Sequence, residues 1–169
     1  MNPNPYQRIL VPVDGSATSN RGLEQAIAMA RLTGGRIRVL HVVDDLPVMV
    51  EGYGAFAAEA VDMLRDAGKR TLAEAQRAVE NAGVPVDTAL FEGVTGRVSE
   101  HVAREVEEWK ADLVVLGTHG RRGVRRLFLG SDAEQVLRTS AVPVLLVRDD
   151  ARRSGDDSPP GVLREGESR

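Results

Sequence analysis

Glycine and arginine are concentrated in the segment Gly117–Ser131, whose sequence is GTHGRRGVRRLFLGS. It has glycines at positions 117, 120, 123 and 130 and arginines at 121, 122, 125 and 126. Glycine allows a backbone to approach a ligand closely, and successive N–H groups in such a turn can surround phosphate oxygens. Gly130 and Ser131 precede a helical pattern, and a helix N-terminus offers N–H donors with partial positive charge. These residue types indicate a local site for phosphate or a similar anion.

The end of this segment also fits an interpretation that needs no ligand. Ser131 and Glu134 match the S-x-x-E capping box, which satisfies helix N–H groups and stabilises by about 1 kcal/mol. Asp132 and Glu134 place negative charge where a phosphate would lie, which favours the empty helix. The four arginines could offset these carboxylates or form a solvated basic surface. Spacing alone leaves both interpretations open.

The composition requires any anion site to be local. The chain has 169 residues, a net charge of −3 and a pI of about 5.7, so we expect no nucleic-acid partner and no membrane partner. The absence of cysteine excludes disulfides and thiolate chemistry. No apolar run approaches the roughly 20 residues of a membrane span, and the start MNPNPYQR has no signal-peptide core. We therefore expect a cytoplasmic protein.

Strand-like and helix-like patterns alternate along the chain. Because each parallel crossover needs a helix, this alternation predicts a parallel sheet. The runs LVVLG and VLLV are apolar enough for strands covered on both faces. We predict one α/β domain over residues 1–148, a three-layer doubly wound five-stranded parallel sheet, followed by a charged, disordered tail at 149–169. The predicted strands lie within 8–13, 36–44, 86–93, 112–117 and 142–148.

Two segments with suitable chemistry follow predicted strands. Pro12, Val13 and Asp14 follow the first strand, and Gly117 ends the fourth. With the strand order 3-2-1-4-5 these two strands are neighbours, and ligands of such sheets bind where the strand order reverses. We therefore expect the two segments to form one site.

The spacing of the glycines is that of a known motif. Gly117, Gly120, Gly130 and Ser131 match G-x-x-G, nine residues, then G-[S/T]. Together with VPVDGS at the first strand and VPVLLVR at the last, the motif resembles the universal stress protein family, the UspA-like superfamily, over about residues 6–148. The resemblance implies an adenine nucleotide alpha hydrolase-like fold with strand order 3-2-1-4-5. It also implies a homodimer joined through the last strand, residues 142–148.

The resemblance also implies a site. Family members with the complete glycine motif bind ATP, often with a divalent cation such as Mg²⁺ or Mn²⁺. By this resemblance the motif residues would hold ribose and phosphates, and Val42 would pack on the adenine. Asp132 and Ala133 depart from the family pattern, which often has an apolar and then a small hydroxyl residue; the change removes a phosphate donor and adds repulsion. The predicted nucleotide-binding set is Pro12, Val13, Asp14, Val42, Gly117, His119, Gly120, Arg121, Gly130, Ser131 and Asp132.

The function that follows from the resemblance is an ATP-dependent regulatory dimer of the stress response. A slow ATPase or self-phosphorylating enzyme could use the same pocket, with Ser16, Ser131 or His119 as acceptors or helpers. A nucleotide-free interaction scaffold is the third alternative. The sequence has no P-loop and no nucleophile–base–orienter set, so we assign no catalytic residue.

Three further residues are predicted to have packing roles. His41 lies in a predicted strand, where we expect a packed, hydrogen-bonded ring. His101 lies near the apolar face of a helix and is expected to be partly buried. Trp109 is expected to close the core at the end of that helix.

Overall fold

The computed structural model describes residues 5–44, 57–92, 97–118 and 130–148. Strands and helices alternate through these ranges, as the sequence pattern predicts. The strands are β1 (Arg8–Pro12), β2 (Arg36–Val42), β3 (Val86–Phe91), β4 (Leu113–Gly117) and β5 (Val144–Val147). The helices are α1 (Ala17–Thr33), α2 (Ala57–Asn81), α3 (Val98–Glu108) and α4 (Ser131–Thr139).

The five strands form one sheet in the order β3-β2-β1-β4-β5, and every neighbouring pair is parallel. This confirms the predicted sheet. In the register, Pro12 of β1 lies beside Leu40 of β2, and Leu10 lies beside Val114 of β4. Since β1 and β4 are neighbours, the segments that follow them leave the sheet at the same edge.

Both faces of the sheet are covered by helices. On one face, Val11 and Val39 pack with Leu23 of α1 and Val79 of α2. On the other face, Leu10, Leu40 and Val114 pack with Val102 of α3 and Val136 of α4. Successive strand residues point to opposite faces, so a strand buried on both sides must be apolar at every position. The continuous apolar run of β4 is therefore explained by two separate cores.

The ends of α1 follow from its sequence. Ser16 precedes the helix, and its hydroxyl accepts a hydrogen bond from the Ser19 N–H at 3.2 Å. Gly34 ends the helix in the left-handed conformation, with φ at 70°, and its N–H donates to the Ala30 carbonyl. A glycine after the last helical residue is a local signal of this helix end.

Trp109 closes the second core at the end of α3, as predicted. Its ring lies under two guanidinium groups, with Arg8 at 4.5 Å and Arg38 at 5.1 Å from the ring centroid. Its indole N–H donates to Asp87 at 3.2 Å. Arg38 also pairs with the buried carboxylate of Glu105 at 2.8 Å. The charged groups that cover this end of the core are therefore paired and are not buried alone.

Some predictions lie outside the described residues. The predicted tail at 149–169 is outside the described ranges. Within those ranges α3 begins at Val98. None of the helices described is long and apolar enough to cross a bilayer.

Candidate ligand site

The turn after β1 is fixed by its own polar side chains. The Ser16 N–H donates to Asp14 Oδ1 at 2.9 Å, and the Asp14 N–H donates to Ser19 Oγ at 3.1 Å. Gly15 lies between them in the left-handed region, with φ at 80°. An aspartate that binds the backbone two residues later is the Asx-turn arrangement. The sequence Asp-Gly-Ser thus holds Asp14 at the edge of the sheet where the strands end, and it also starts α1.

Val13 follows the last residue of β1 and is hydrogen-bonded to β2. Its N–H donates to the Leu40 carbonyl at 2.8 Å, and its own oxygen lies 2.7 Å from Nδ1 of His41. Val13 is buried, whereas Pro12 and Val42 are half-buried at the same edge. The structure therefore brings the predicted residues of the first two strands together. His41 is buried and hydrogen-bonded, as predicted.

Gly117 has a structural reason to be glycine that the sequence did not reveal. A Cβ atom at this position would lie 2.7 Å from both the carbonyl carbon and the oxygen of Thr18, and 2.9 Å from the Ser19 nitrogen. The first turn of α1 therefore lies directly against the end of β4. Gly117 is not among the described glycines with positive φ. Close packing against α1 is therefore the observed reason for a glycine at position 117.

A hydrogen bond joins the two described residues that flank segment 119–129. The Gly130 N–H donates to the Thr118 carbonyl at 2.9 Å. The Thr118 N–H in turn donates to the Val147 carbonyl of β5 at 2.9 Å. Thr118 is buried, at 5% exposure. The start of α4 is therefore fixed beside the end of β4, where the glycine motif requires it.

The structure does not support the capping-box interpretation of Ser131 and Glu134. Gly130, not Ser131, precedes the helix as its N-cap, and a glycine has no side chain with which to cap it. Ser131 is the first helical residue, so its hydroxyl is not in the position from which an N-cap side chain bonds the first turn. The Glu134 carboxylate lies 3.8 Å from Arg138, one turn later, instead of bonding back to residue 131. Among the described residues, Ser131 and Glu134 therefore do not form the reciprocal cap that would compete with an anion.

Negative charge is present at this helix start. Asp132 and Glu134 lie in the first turn of α4, and both side chains are exposed. Acidic residues at this position are favourable for the helix and unfavourable for a bound anion. Among the described residues, no three histidine or acidic side chains are grouped so that they could hold a metal ion.

The described residues include eight of the eleven predicted ones: Pro12, Val13, Asp14, Val42, Gly117, Gly130, Ser131 and Asp132. His119, Gly120 and Arg121 lie outside the described residues. The sequence did not indicate that Thr118 and Ser19 help to build this region. Their main-chain and packing contacts join segments that are distant in the chain. Thr118 occupies a position of the glycine motif that any residue can fill, so the motif did not indicate these contacts.

An open α/β sheet of order 3-2-1-4-5 with helices on both faces is the adenine nucleotide alpha hydrolase-like class of fold. A sequence model described as "Universal stress protein family" matches residues 5–148. The chain belongs to the universal stress protein family. It is 33% identical to universal stress protein MJ0531 of Methanocaldococcus jannaschii over 148 residues, covering 86% of this chain and 84% of the relative. It is 34% identical to a Thermus aquaticus universal stress protein over 143 residues, covering 85% and 99%.

Solved structures show the same fold. The structure of MJ0577 superimposes with a TM-score of 0.73 at 26% identity, covering 85% of this chain and 96% of that one. A universal stress protein in complex with cAMP has a TM-score of 0.61 at 23% identity, covering 85% and 98%. One from Archaeoglobus fulgidus in complex with dAMP has a TM-score of 0.60 at 22% identity, covering 84% and 98%.

Proposed function

We propose that this protein binds an adenine nucleotide, with ATP as the leading candidate, where the segments after β1 and β4 leave the sheet. The observation that carries the proposal is the Gly130–Thr118 hydrogen bond of 2.9 Å. It holds the start of α4 at the switch point of the strand order, beside the turn at Asp14. Backbone N–H groups of such a helix start bind phosphate.

Each part of the site has a proposed role. Pro12, Val13 and Asp14 line the nucleotide from β1, and Val42 packs on the adenine. Gly117, Gly130 and Ser131 contact ribose and phosphates, joined by His119, Gly120 and Arg121 of the motif. A Mg²⁺ or Mn²⁺ ion bound with the phosphates would offset the charge of Asp132. The cAMP and dAMP complexes of two proteins with this fold support an adenine nucleotide as the ligand class.

The proposed cellular role is that of a regulatory stress-response protein in the cytoplasm, working as a homodimer. The carbonyls of Pro143 and Val147 accept hydrogen bonds from β4. Alternate residues of a strand direct their backbone groups to opposite sides, so Val144 and Leu146 direct theirs away from β4. β5 ends the described sheet, and an edge strand of this kind can pair with a second copy through residues 142–148.

Nucleotide binding is tested on the purified chain. The protein is denatured and the supernatant is separated by anion exchange, and the stripped, refolded protein is then titrated calorimetrically with ATP, AMP and cAMP, with and without Mg²⁺. The proposal expects an adenylate either in the supernatant or bound in the titration at one per chain. No heat with any adenylate at millimolar concentration would end the proposal.

The same preparation separates a binder from an enzyme. Radiolabelled ATP recovered intact at one per chain supports the regulatory function. Steady release of ADP, or label covalently held by the protein, supports the slow ATPase or self-phosphorylating alternative. Either result leaves the location of the pocket unchanged, because both functions use the same residues.

A nucleotide-free scaffold is favoured by one observation, the exposed carboxylates of Asp132 and Glu134 at the start of α4. They supply the negative charge that a helix N-terminus prefers without any ligand. In that case the arginines of the segment 117–131 would contact an acidic partner. This alternative expects replacement of Gly120 by valine, which prevents close backbone approach, to leave function intact.

A further inference from the structure

The His41 ring makes a hydrogen bond that specifies its protonation. Nδ1 lies 2.7 Å from the Val13 carbonyl oxygen, and the residue is only 7% exposed. A carbonyl oxygen can accept a hydrogen bond but cannot donate one. Nδ1 must therefore carry the proton in this contact.

The His41–Val13 bond takes the place of the next backbone hydrogen bond between β1 and β2. The Val13 N–H donates to Leu40, and in a continuing parallel ladder the Val42 N–H would then donate to the Val13 oxygen. β1 instead ends at Pro12, and the bond recorded for the Val13 oxygen comes from the His41 ring. A side chain thus holds the chain where regular pairing stops.

The ring is held in place by α2. A Cβ atom on Gly68 would lie 2.7 Å from Cδ2 of His41 and 3.0 Å from its Nε2. Gly68 therefore lets the helix backbone pack directly on the imidazole. With the ring confined on this side, its bond to Val13 has little freedom to move.

We propose that His41 is a positioning residue of the nucleotide site: its Nδ1–H holds the Val13 carbonyl and so fixes the Val13–Asp14 segment against the adenosine half of the ligand. The proposal rests on the proposed function. The segment is fixed from both sides, since the next N–H, that of Asp14, donates to Ser19 at 3.1 Å. Preorganising a binding segment increases affinity because less ordering is required when the ligand binds.

The main test compares binding by two variants at the same position. His41→Phe retains a ring and removes the donor, and we expect it to weaken ATP, AMP and adenosine by the same factor, about 3- to 10-fold. His41→Asn carries an amide N–H near the position of Nδ1, and we expect it to recover part of the lost affinity. Thermal unfolding of each variant confirms that the protein titrated is folded.

A second variant disturbs the same hydrogen bond without replacing His41. Gly68→Ala places its Cβ against the ring, so we expect a similar loss of affinity. Combined with His41→Phe it should add little, because both changes remove one contact. The matched control is His101→Phe, since His101 is also buried but stacks on Phe91, with ring centroids 4.7 Å apart. It should leave adenylate affinity unchanged.

Ring-nitrogen NMR gives a readout that does not depend on the ligand. We expect a protonated Nδ1 for the His41 signal, identified by its loss in His41→Phe. An unprotonated Nδ1, or equal adenylate affinities for wild type and a folded His41→Phe, would overturn the inference alone. If wild type binds no adenylate, the proposed function fails and this inference fails with it.

Discussion

The backbone N–H of Gly130 donates to the carbonyl of Thr118 across 2.9 Å. Thr118 also donates its own N–H to Val147 at 2.9 Å. One buried residue thus joins the end of β4, the start of α4 and the edge strand β5. The two described residues that flank segment 119–129 are therefore bonded to each other, and the proposed site lies where they meet.

Gly117→Ala is expected to destabilise the protein. Its Cβ would lie 2.7 Å from backbone atoms of Thr18, which cannot move without shifting α1. Overpacking of this kind costs about 1 to 3 kcal/mol in the free energy of unfolding. Urea denaturation followed by circular dichroism measures the change.

The matched control is Gly22→Ala, on the other side of the same contact. Its Cβ would lie 3.3 Å from the Gly117 nitrogen, a milder approach. Alanine also gains about 0.5 to 1 kcal/mol over glycine inside a helix, which offsets the crowding. We expect stability close to wild type; an equal loss for both variants would contradict the role assigned to Gly117.

Gly130→Ser is expected to weaken ATP binding and to stabilise the folded protein. Gly130 has the extended conformation of an N-cap, with φ −60° and ψ 146°, but no side chain with which to cap α4. A serine hydroxyl there would accept from the first turn and stabilise by roughly 0.5 kcal/mol. It would also occupy a donor that the phosphate needs, weakening ATP by about 3- to 10-fold.

Gly130→Ala separates these two effects, because it removes the flexibility of glycine without adding an acceptor. Calorimetric titration with ATP and urea denaturation are run on both variants. Stronger ATP binding by Gly130→Ser than by Gly130→Ala would show that the hydroxyl assists the ligand and would contradict the prediction.

The observed order β3-β2-β1-β4-β5 was implied by the resemblance of the motifs to a known family. Local patterns were sufficient to predict the alternation of strands and helices and, from it, a parallel sheet. The stop at Gly34 was predictable because a left-handed glycine is a local requirement of the helix end. These features depend on residues close together in the chain.

Contacts between distant segments were not predictable from one sequence. The close packing of Gly117 on Thr18 and the Val13–His41 bond each join separate elements. The capping box failed for a related reason: Gly130 bonds to Thr118, and the helix begins one residue earlier than the S-x-x-E pattern requires. The spacing was compatible with a cap, and the tertiary contact selected another start.

Glu105→Gln is expected to destabilise the core end near Trp109. The Glu105 side chain is 6% exposed and pairs at 2.8 Å with Arg38, whose side chain is 25% exposed. Loss of a buried partner leaves the guanidinium uncompensated, and partial solvation of Arg38 limits the cost to about 1 to 3 kcal/mol. The control Glu108→Gln, an exposed acid on the same α3, should stay within about 0.5 kcal/mol. Equal urea midpoints for the two variants would contradict the assignment.

Asp132→Asn is expected to strengthen ATP binding most when divalent cations are absent. The exposed carboxylate lies in the first turn of α4, where it favours the helix by about 0.3 to 1 kcal/mol and repels phosphate. Its removal should lower stability by that amount and tighten ATP, with a smaller gain in Mg²⁺, which already offsets the charge. Glu100→Gln, in the first turn of α3, is the control: it should lose similar stability without changing affinity. Calorimetric titration in EDTA and in Mg²⁺ measures both affinities. Unchanged or weaker ATP binding by Asp132→Asn in EDTA would contradict the repulsion assigned to this carboxylate.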